Sequence, residues 1–307
     1  MVEMTFRGVP AAFVLLLAAA SANSAVPVLP DASFYVSAQS TAFSALSTPC
    51  DSGLVSNKSG AFASCSGFSA GSTTASSAQS TPGLLRLGAD FEATSVGSGS
   101  YGADSRATAG LSDFILIAGP ANTTALLKGW VVVQGSVSAN AGGSPLASSA
   151  GGSSYNLTGN FFNQGLGQSG GFTVGSNGYF DAQHAVGESI PISVNVTFDS
   201  GGYALGNFSL LLNVSANGLA SPYQRTSNSA VIPGSASAAA DFAHTIYWGG
   251  ISSFTVNGNE LAAYTVTSSS GFNYLTSAVP EPQTAALMCV GLALLCARAR
   301  KSRSNSV

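Results

Sequence analysis

Apolar side chains recur at every second position in two long stretches of the chain, and that period dictates strands. Ile190, Ile192, Val194, Val196 and Phe198 alternate with polar residues or proline, and Phe208, Leu210, Leu212 and Val214 alternate with Ser209, Leu211 and Asn213. Successive strand residues point to opposite faces, so each run makes a sheet with one buried and one wet face. Asp199-Ser200-Gly201-Gly202 lies between the runs as a turn signal and predicts that they form a hairpin. A second hairpin is predicted about Asn257-Gly258, the dipeptide best suited to a tight type I′ turn, with Phe254 and Val256 before it and Tyr264 and Val266 after. Phe114-Ile115-Leu116-Ile117 and Trp130-Val131-Val132-Val133 add short apolar runs of buried-strand type. No long, capped 3.6-residue period occurs between residues 30 and 279. The expectation is an all-β ectodomain over residues 111–278, a β-sandwich with jelly-roll connectivity as one option.

Composition agrees with a protein outside the cytosol. Charged residues are 7% of the chain, far below the roughly 25% of soluble domains, while 45% are hydrophobic and 36 are glycine. Residues 26–279 hold more acids than bases, the latter being Lys58, Arg86, Arg106, Lys128 and Arg225. No basic stripe is present for a nucleic-acid backbone to follow, and that partner class is set aside. Residues 26–110 are rich in Ser, Thr, Gly and Ala, and Ser66–Pro82 is almost low-complexity. They read as loops and short strands pinned by a disulfide between Cys50 and Cys65. Closing that loop is worth about 3 kcal/mol in the chain-entropy model.

Both ends of the chain read as addressing signals. Residues 1–25 fit a secretory signal peptide, a helix in the membrane during export. Arg7 supplies the charge, Ala11–Ala20 the apolar run, and Ala20-Ser21-Ala22 the small residues for cleavage, with Met4 as an alternative start. Residues 279–303 begin with Val279-Pro280-Glu281-Pro282, continue through the uncharged run Thr284–Ala297, and close with Arg298, Arg300, Lys301 and Arg303. The prolines make an extended spacer. The apolar run forms a helix, since lipid offers backbone groups no other partner. The basic residues act as a stop-transfer on the cytoplasmic side. The run rises only about 21 Å, short of a roughly 30 Å hydrocarbon core, which makes it a marginal permanent span.

Pro280-Glu281-Pro282, the short apolar helix with Gly291 and the Arg-rich end closely resemble, in order and spacing, the PEP-CTERM sorting signal of exported bacterial proteins. The resemblance implies processing by a membrane-embedded exosortase. It also implies transient anchoring in the inner membrane with the ectodomain outside, then release or transfer to the cell surface. Proteins of this kind accompany extracellular polysaccharide, which is the partner class implied here. Asp241–Ser270, with Tyr247-Trp248-Gly249-Gly250-Ile251, looks like the closing strands of such ectodomains.

Catalytic patterns are sparse. Gly67-Phe68-Ser69-Ala70-Gly71 and Gly167-Gln168-Ser169-Gly170-Gly171 match the nucleophile-elbow pattern without its strand-turn-helix context, and Ser169, Asp199 and His244 fall in triad order. Gly165, Gly167 and Gly170 match a dinucleotide fingerprint with no βαβ unit around it. Asp181 and His184 form a candidate metal pair without a third ligand. Asp90 with Glu92, or Glu188 with Glu260, are the acids that a glycosidase pair would need. N-x-S/T sequons at Asn57, Asn122, Asn156, Asn195, Asn207 and Asn213 read as Asn on the wet face of strands. Trp130, Tyr223, Tyr247 and Trp248 are the candidate aromatic platform for a polysaccharide. No metal or cofactor is expected. The chain therefore reads as a non-enzymatic surface or matrix protein, with a carbohydrate-binding module and a secreted hydrolase as the alternatives.

Overall fold

A computed structural model describes residues 26–42, 48–55, 60–69, 71–142, 149–162, 164–175, 180–224, 230–261 and 263–276. The expected signal peptide (1–25), the expected sorting segment (279–303) and its basic residues lie outside the described residues, as does the sequon at Asn57. The described chain is all strand: β1 (Ser33–Ala42), β2 (Thr48–Val55), β3 (Ala61–Ser69), β4 (Ser72–Thr81), β5 (Leu84–Thr94), β6 (Tyr101–Ala118), β7 (Thr124–Gly142) and β8 (Ala150–Phe161) come first. There follow β9 (Gln164–Gly175), β10 (Phe180–Thr197), β11 (Tyr203–Ala220), β12 (Tyr223–Gln224), β13 (Val231–Ile232), β14 (Ser235–Val256), β15 (Asn259–Glu260) and β16 (Thr265–Ser268). Among the described residues no helix is long and apolar enough to cross a membrane.

Two antiparallel sheets face each other. One runs β2-β1-β6-β11-β8-β9, with β16 continuing the line of β1 along β6; the other runs β10-β7-β14-β5-β4-β3. Strand packs on strand across the interior, β6 over β4 and β5, and β11 over β5 and β14. The alternation seen in the sequence explains the layering: Phe208, Leu210, Leu212 and Val214 are buried against the facing sheet, while Leu211 is exposed. Burial of these side chains at about 25 cal/mol per Å² is the main driving force.

The chain does not turn back on itself where a hairpin was predicted at Asp199–Gly202. β10 pairs with β7 and β11 pairs with β6 and β8, so the two alternating runs lie in opposite sheets. Asp199 closes the corner, accepting at Oδ1 from the backbone of Gly201 and Tyr203, each at 2.8 Å. The corner stacks on the β6–β7 crossing, where Phe198 donates its N–H to Thr123 and Gly119 to Gly202. Both runs carry one apolar face, and each can bury it only by meeting the other face to face. At Asn257-Gly258 the tight turn forms, with φ of 51° and 83°. Its return strand is only β15, however, and Val266 lies in β16, paired to β6 in the other sheet.

Residues 26–110 are woven into both sheets rather than looped: β1 lies between β2 and β6, and β5 between β4 and β14. The compositional boundary at 110/111 falls inside β6. The inward face of β4 is Ser72, Thr74, Ser76, Ala78 and Ser80, all buried. Two of their hydroxyls bridge the two sheets. Ser80 donates to the Gly110 carbonyl at 2.7 Å and Ser76 to that of Gln39 at 3.1 Å. From the opposite sheet Ser105 donates to the Ala75 carbonyl at 2.5 Å, and Ser153 to that of Ser138 at 2.9 Å. A serine whose hydroxyl is satisfied in this way fills an interior position at small volume.

Candidate functional site

Two constructions stand out: a locked C-terminal segment inside the sandwich, and a neutral trough on its outer surface. The first is built on Asp113, an inward residue of β6 that is 1% exposed. Its Oδ1 accepts from Ser269 Oγ at 2.7 Å and the Ser270 N–H at 3.1 Å; its Oδ2 accepts from Ser270 Oγ and from Tyr274 Oη at 2.8 Å. Every partner donates, which suits a carboxylate, an acceptor with two oxygens. Burial pushes the Tyr274 hydroxyl well above the usual tyrosine range, and the Asp113 charge and hydrogen bond add to it. Trp248 Nε1 donates to the Tyr274 carbonyl at 2.7 Å. The Tyr274 ring meets Phe208, Trp248 and Phe272 edge-on, with centroids 4.8–5.6 Å apart. Phe272 covers Gly83 in the β4–β5 turn so closely that a Cβ there would lie 2.6 Å from the ring. The segment after β16 thus plugs one end of the sandwich and ties both sheets together.

The second construction is the outer face of the β2-β1-β6-β11-β8-β9 sheet. Register aligns its outward residues in rows: Tyr35, Gly110, Leu211 and Thr158 in one, then Ser37, Thr108, Asn213 and Asn156, then Gln39, Arg106, Ser215 and Ser154. Two adjoining recesses, of about 420 and 430 Å³, share Tyr35. Thr108 Oγ1 donates to Asn213 Oδ1 at 2.8 Å, and the Ser154 and Ser215 hydroxyls lie 2.8 Å apart. Among the described residues lining the recesses the charged side chain is Arg106, which pairs with Asp104 at 2.6 Å. Beyond β8 the register places Gly167, Ser169 and Gly171 of β9 opposite Thr158, Asn156 and Ser154.

The sequence candidates separate on these sheets. Ser69 is buried, with its Oγ 2.8 Å from Ser72 Oγ at the β3–β4 turn. Gly165, Gly167, Ser169 and Gly170 lie in strand β9, with no phosphate-cradling turn into a helix. Asp199 is committed to its corner beside Thr123, whereas Thr245, next to His244, pairs with Gln134 far along β7. At about 3.3 Å per residue that separation is roughly 35 Å, and the triad does not assemble. Asp181 and His184 pair with Asn140 and Val137; their side chains lie outside the described residues. Among the described residues no three His, Cys, Asp or Glu group to hold a metal.

Glu188 pairs with Val133 and Glu260 with Thr255, whose β7 partner is Leu126, so these acids are roughly 23 Å apart along the strand. Asp90 and Glu92 do share a face, two residues apart on β5 and both exposed. Burial raises the Asp90 carboxyl above its ordinary range. Beside Asp90 lies a recess of about 510 Å³ lined by serines, Ala75 and Gly88.

The aromatic platform does not form as a group of four. Trp248 is fully buried in the core and Tyr223 belongs to the separate β12–β13 ribbon. Trp130 and Tyr247 share the outer face of the other sheet, where Trp130 covers Gly249. Asn156, Asn195, Asn207 and Asn213 do take outward strand positions, and Asn122 sits in a turn at φ 55°. Sequence reasoning missed Tyr35 and Asp113. Tyr35 was legible in Ser33–Gln39, where Phe34, Val36 and Ala38 alternate with it; Asp113 sits on the buried parity of β6 beside Leu111 and Ile115.

Cys65 is disulfide-bonded. The Cys50 side chain lies outside the described residues, but its backbone pairs with Ala38 of β1 while Cys65 pairs with Ser76 of β4. Ser76 bonds across the interior to Gln39, the residue after Ala38, so the two cysteine positions face each other at one level of the sandwich.

The chain matches no family model, no curated protein and no solved structure.

Proposed function

We propose that this chain is an exported, non-enzymatic surface protein, sorted through a PEP-CTERM-type signal and associated with extracellular polysaccharide. In this reading residues 1–25 direct export. Pro280-Glu281-Pro282 is the site an exosortase processes, and Arg298, Arg300, Lys301 and Arg303 hold the short helix Thr284–Ala297 of the sorting segment 279–303 in the inner membrane until then. Cys50 pairs with Cys65, as expected where thiols oxidise.

The observation that carries the reading is the locked segment. The last described residues, up to Thr276, are fastened into the core through Asp113, Trp248 and Gly83, and Pro280 follows only four positions later. The fastened segment therefore reaches to within a few residues of the proposed sorting motif, which suits a domain displayed through its C-terminal side. We assign the body to a jelly roll, in which β5-β14-β7-β10 face β6-β11-β8-β9 and β1–β4 extend both sheets.

Replacing Pro280-Glu281-Pro282 by alanines tests the sorting. The expected outcome in fractionated cells is a longer chain retained in the inner membrane. Unchanged size and location would overturn the sorting assignment.

A further inference from the structure

We infer that the outer face of the β2-β1-β6-β11-β8-β9 sheet is a binding trough for a neutral polysaccharide chain, centred on the slot between Tyr35 and Leu211. This inference rests on the reading of the chain as an exported surface protein and names the ligand class and the site.

Tyr35 and Leu211 are 37% and 39% exposed, two large apolar side chains on the outward parity of this sheet, which also carries Leu205 farther along β11. Between them in register stands Gly110, so no side chain rises from the floor. Strands lie about 4.8 Å apart, which sets Tyr35 and Leu211 roughly 10 Å from each other at the backbone. A pyranose ring presents an apolar C–H face and a rim of hydroxyls. The slot answers the first with an aromatic and an aliphatic wall, and the surrounding residues answer the second. Thr108, Asn156 and Asn213 form the next row, each able both to donate and to accept. Thr108 and Asn213 are already bonded to each other, which fixes the amide for a ligand at little entropic cost.

Charge decides between ligand classes. Among the described residues lining the recesses the charged side chain is Arg106, and Asp104 neutralises it, so these residues select neither a uronate nor a phosphate. Extent decides between a single sugar and a chain. Two recesses meet at Tyr35 and run from the Ser33 row to the Gln39 row, roughly 20 Å along the strands. The face continues toward β9, where the register positions opposite Asn160, Thr158 and Ser154 are the glycines Gly165, Gly167 and Gly171.

The test is affinity electrophoresis of the full chain in detergent micelles through gels containing neutral glucan, mannan or galactan, with alginate as the acidic comparison. We expect at least one neutral polymer to retard the protein, with retardation insensitive to salt. Tyr35→Ala is expected to weaken it tenfold or more. Gly110→Ser fills the slot floor, where a Cβ meets the Leu211 side-chain end at 3.1 Å, the Leu210 carbonyl at 3.4 Å and the Tyr35 Cβ at 3.8 Å, and it should weaken binding similarly, with the melting temperature read alongside to separate lost binding from lost folding. Trp130→Ala, on the opposite sheet, should leave binding intact. Retardation by none of the neutral polymers overturns the inference, as does salt-sensitive retardation by alginate alone. Binding lost in Trp130→Ala but kept in Tyr35→Ala also overturns it. The sorting assignment has its own readout in the fractionation of the Pro280–Pro282 variant, so either idea can fail while the other stands.

Discussion

At the residue scale, Asp113 is the one side chain on which the closing segment depends most. Four hydrogen bonds end on its carboxylate, and three of the donors, the Ser270 N–H, the Ser270 hydroxyl and Tyr274 Oη, are buried. Asp113→Ala leaves them without an acceptor. The expected loss is about 3 kcal/mol, or roughly 6–12 °C in melting temperature for a body of this size, read by thermal unfolding. Asp113→Asn keeps an acceptor for Ser270 and should cost less. Tyr274 supplies a pH test. Its hydroxyl is held protonated in the fold, first by burial and then by Asp113, so its folded pKa lies above its unfolded one. That stabilisation is fully present below about pH 10 and is lost as pH rises through the folded value. Stability should be flat on this account up to about pH 10 and fall by up to about 1.4 kcal/mol per pH unit beyond. Tyr274→Phe should melt lower at neutral pH and lose much of that alkaline slope. The Tyr155 hydroxyl, raised by burial and then by Glu188, contributes with the same sign and leaves a remainder. An unchanged alkaline slope in Tyr274→Phe would separate the closing segment from the titration.

At the element scale, alternation told which residues are strands but not which strands pair. Ile190–Phe198 and Phe208–Val214 satisfy a hairpin and a sheet crossing equally well, because both place one apolar face toward a core. What decides is the partner face, which sits far away in the chain on β6 and β7. β4 was illegible for a different reason. Its buried face is serine and threonine, which hydropathy reads as loop, and only the carbonyls of the opposite sheet make those hydroxyls interior groups. The consequence is measurable. Ser80→Ala removes the donor to the Gly110 carbonyl and should cost about 1 kcal/mol. Ser80→Val adds apolar bulk at a fully buried position between sheets close enough for a hydroxyl to bridge. It should cost more than Ser80→Ala, about 2–3 kcal/mol, although hydropathy alone predicts a gain. Denaturant unfolding of the two variants distinguishes these outcomes. If Val proved the milder change, the close approach of the sheets at this level would not matter. The edge strand β10 shows a related economy: exposed Glu188 and Pro191 discourage another chain from pairing there.

At the scale of the whole molecule, the order of strands makes closure a late event. β6 and β11 are central in one sheet and β14 in the other, yet β14 begins only at Ser235 and β16 at Thr265. Until β14 arrives, β5 and β7 have no common neighbour; until β16 and Tyr274 arrive, Asp113, Trp248 and Phe208 face an unfilled end. A chain ended at Leu261 keeps both sheets but lacks the segment that joins them. It should show strand content by far-UV circular dichroism with weakened near-UV signal, bind a hydrophobic dye and be cut readily by protease. A chain ended at Thr276 should resist protease like the full protein. If the shorter chain resisted equally, the Asp113 contacts would be ornament on an already closed body. If it does not, the fold is completed only once the residues immediately ahead of Pro280 have been delivered. On the export and sorting proposed for this chain, closure of the body would then report that translocation has reached Pro280.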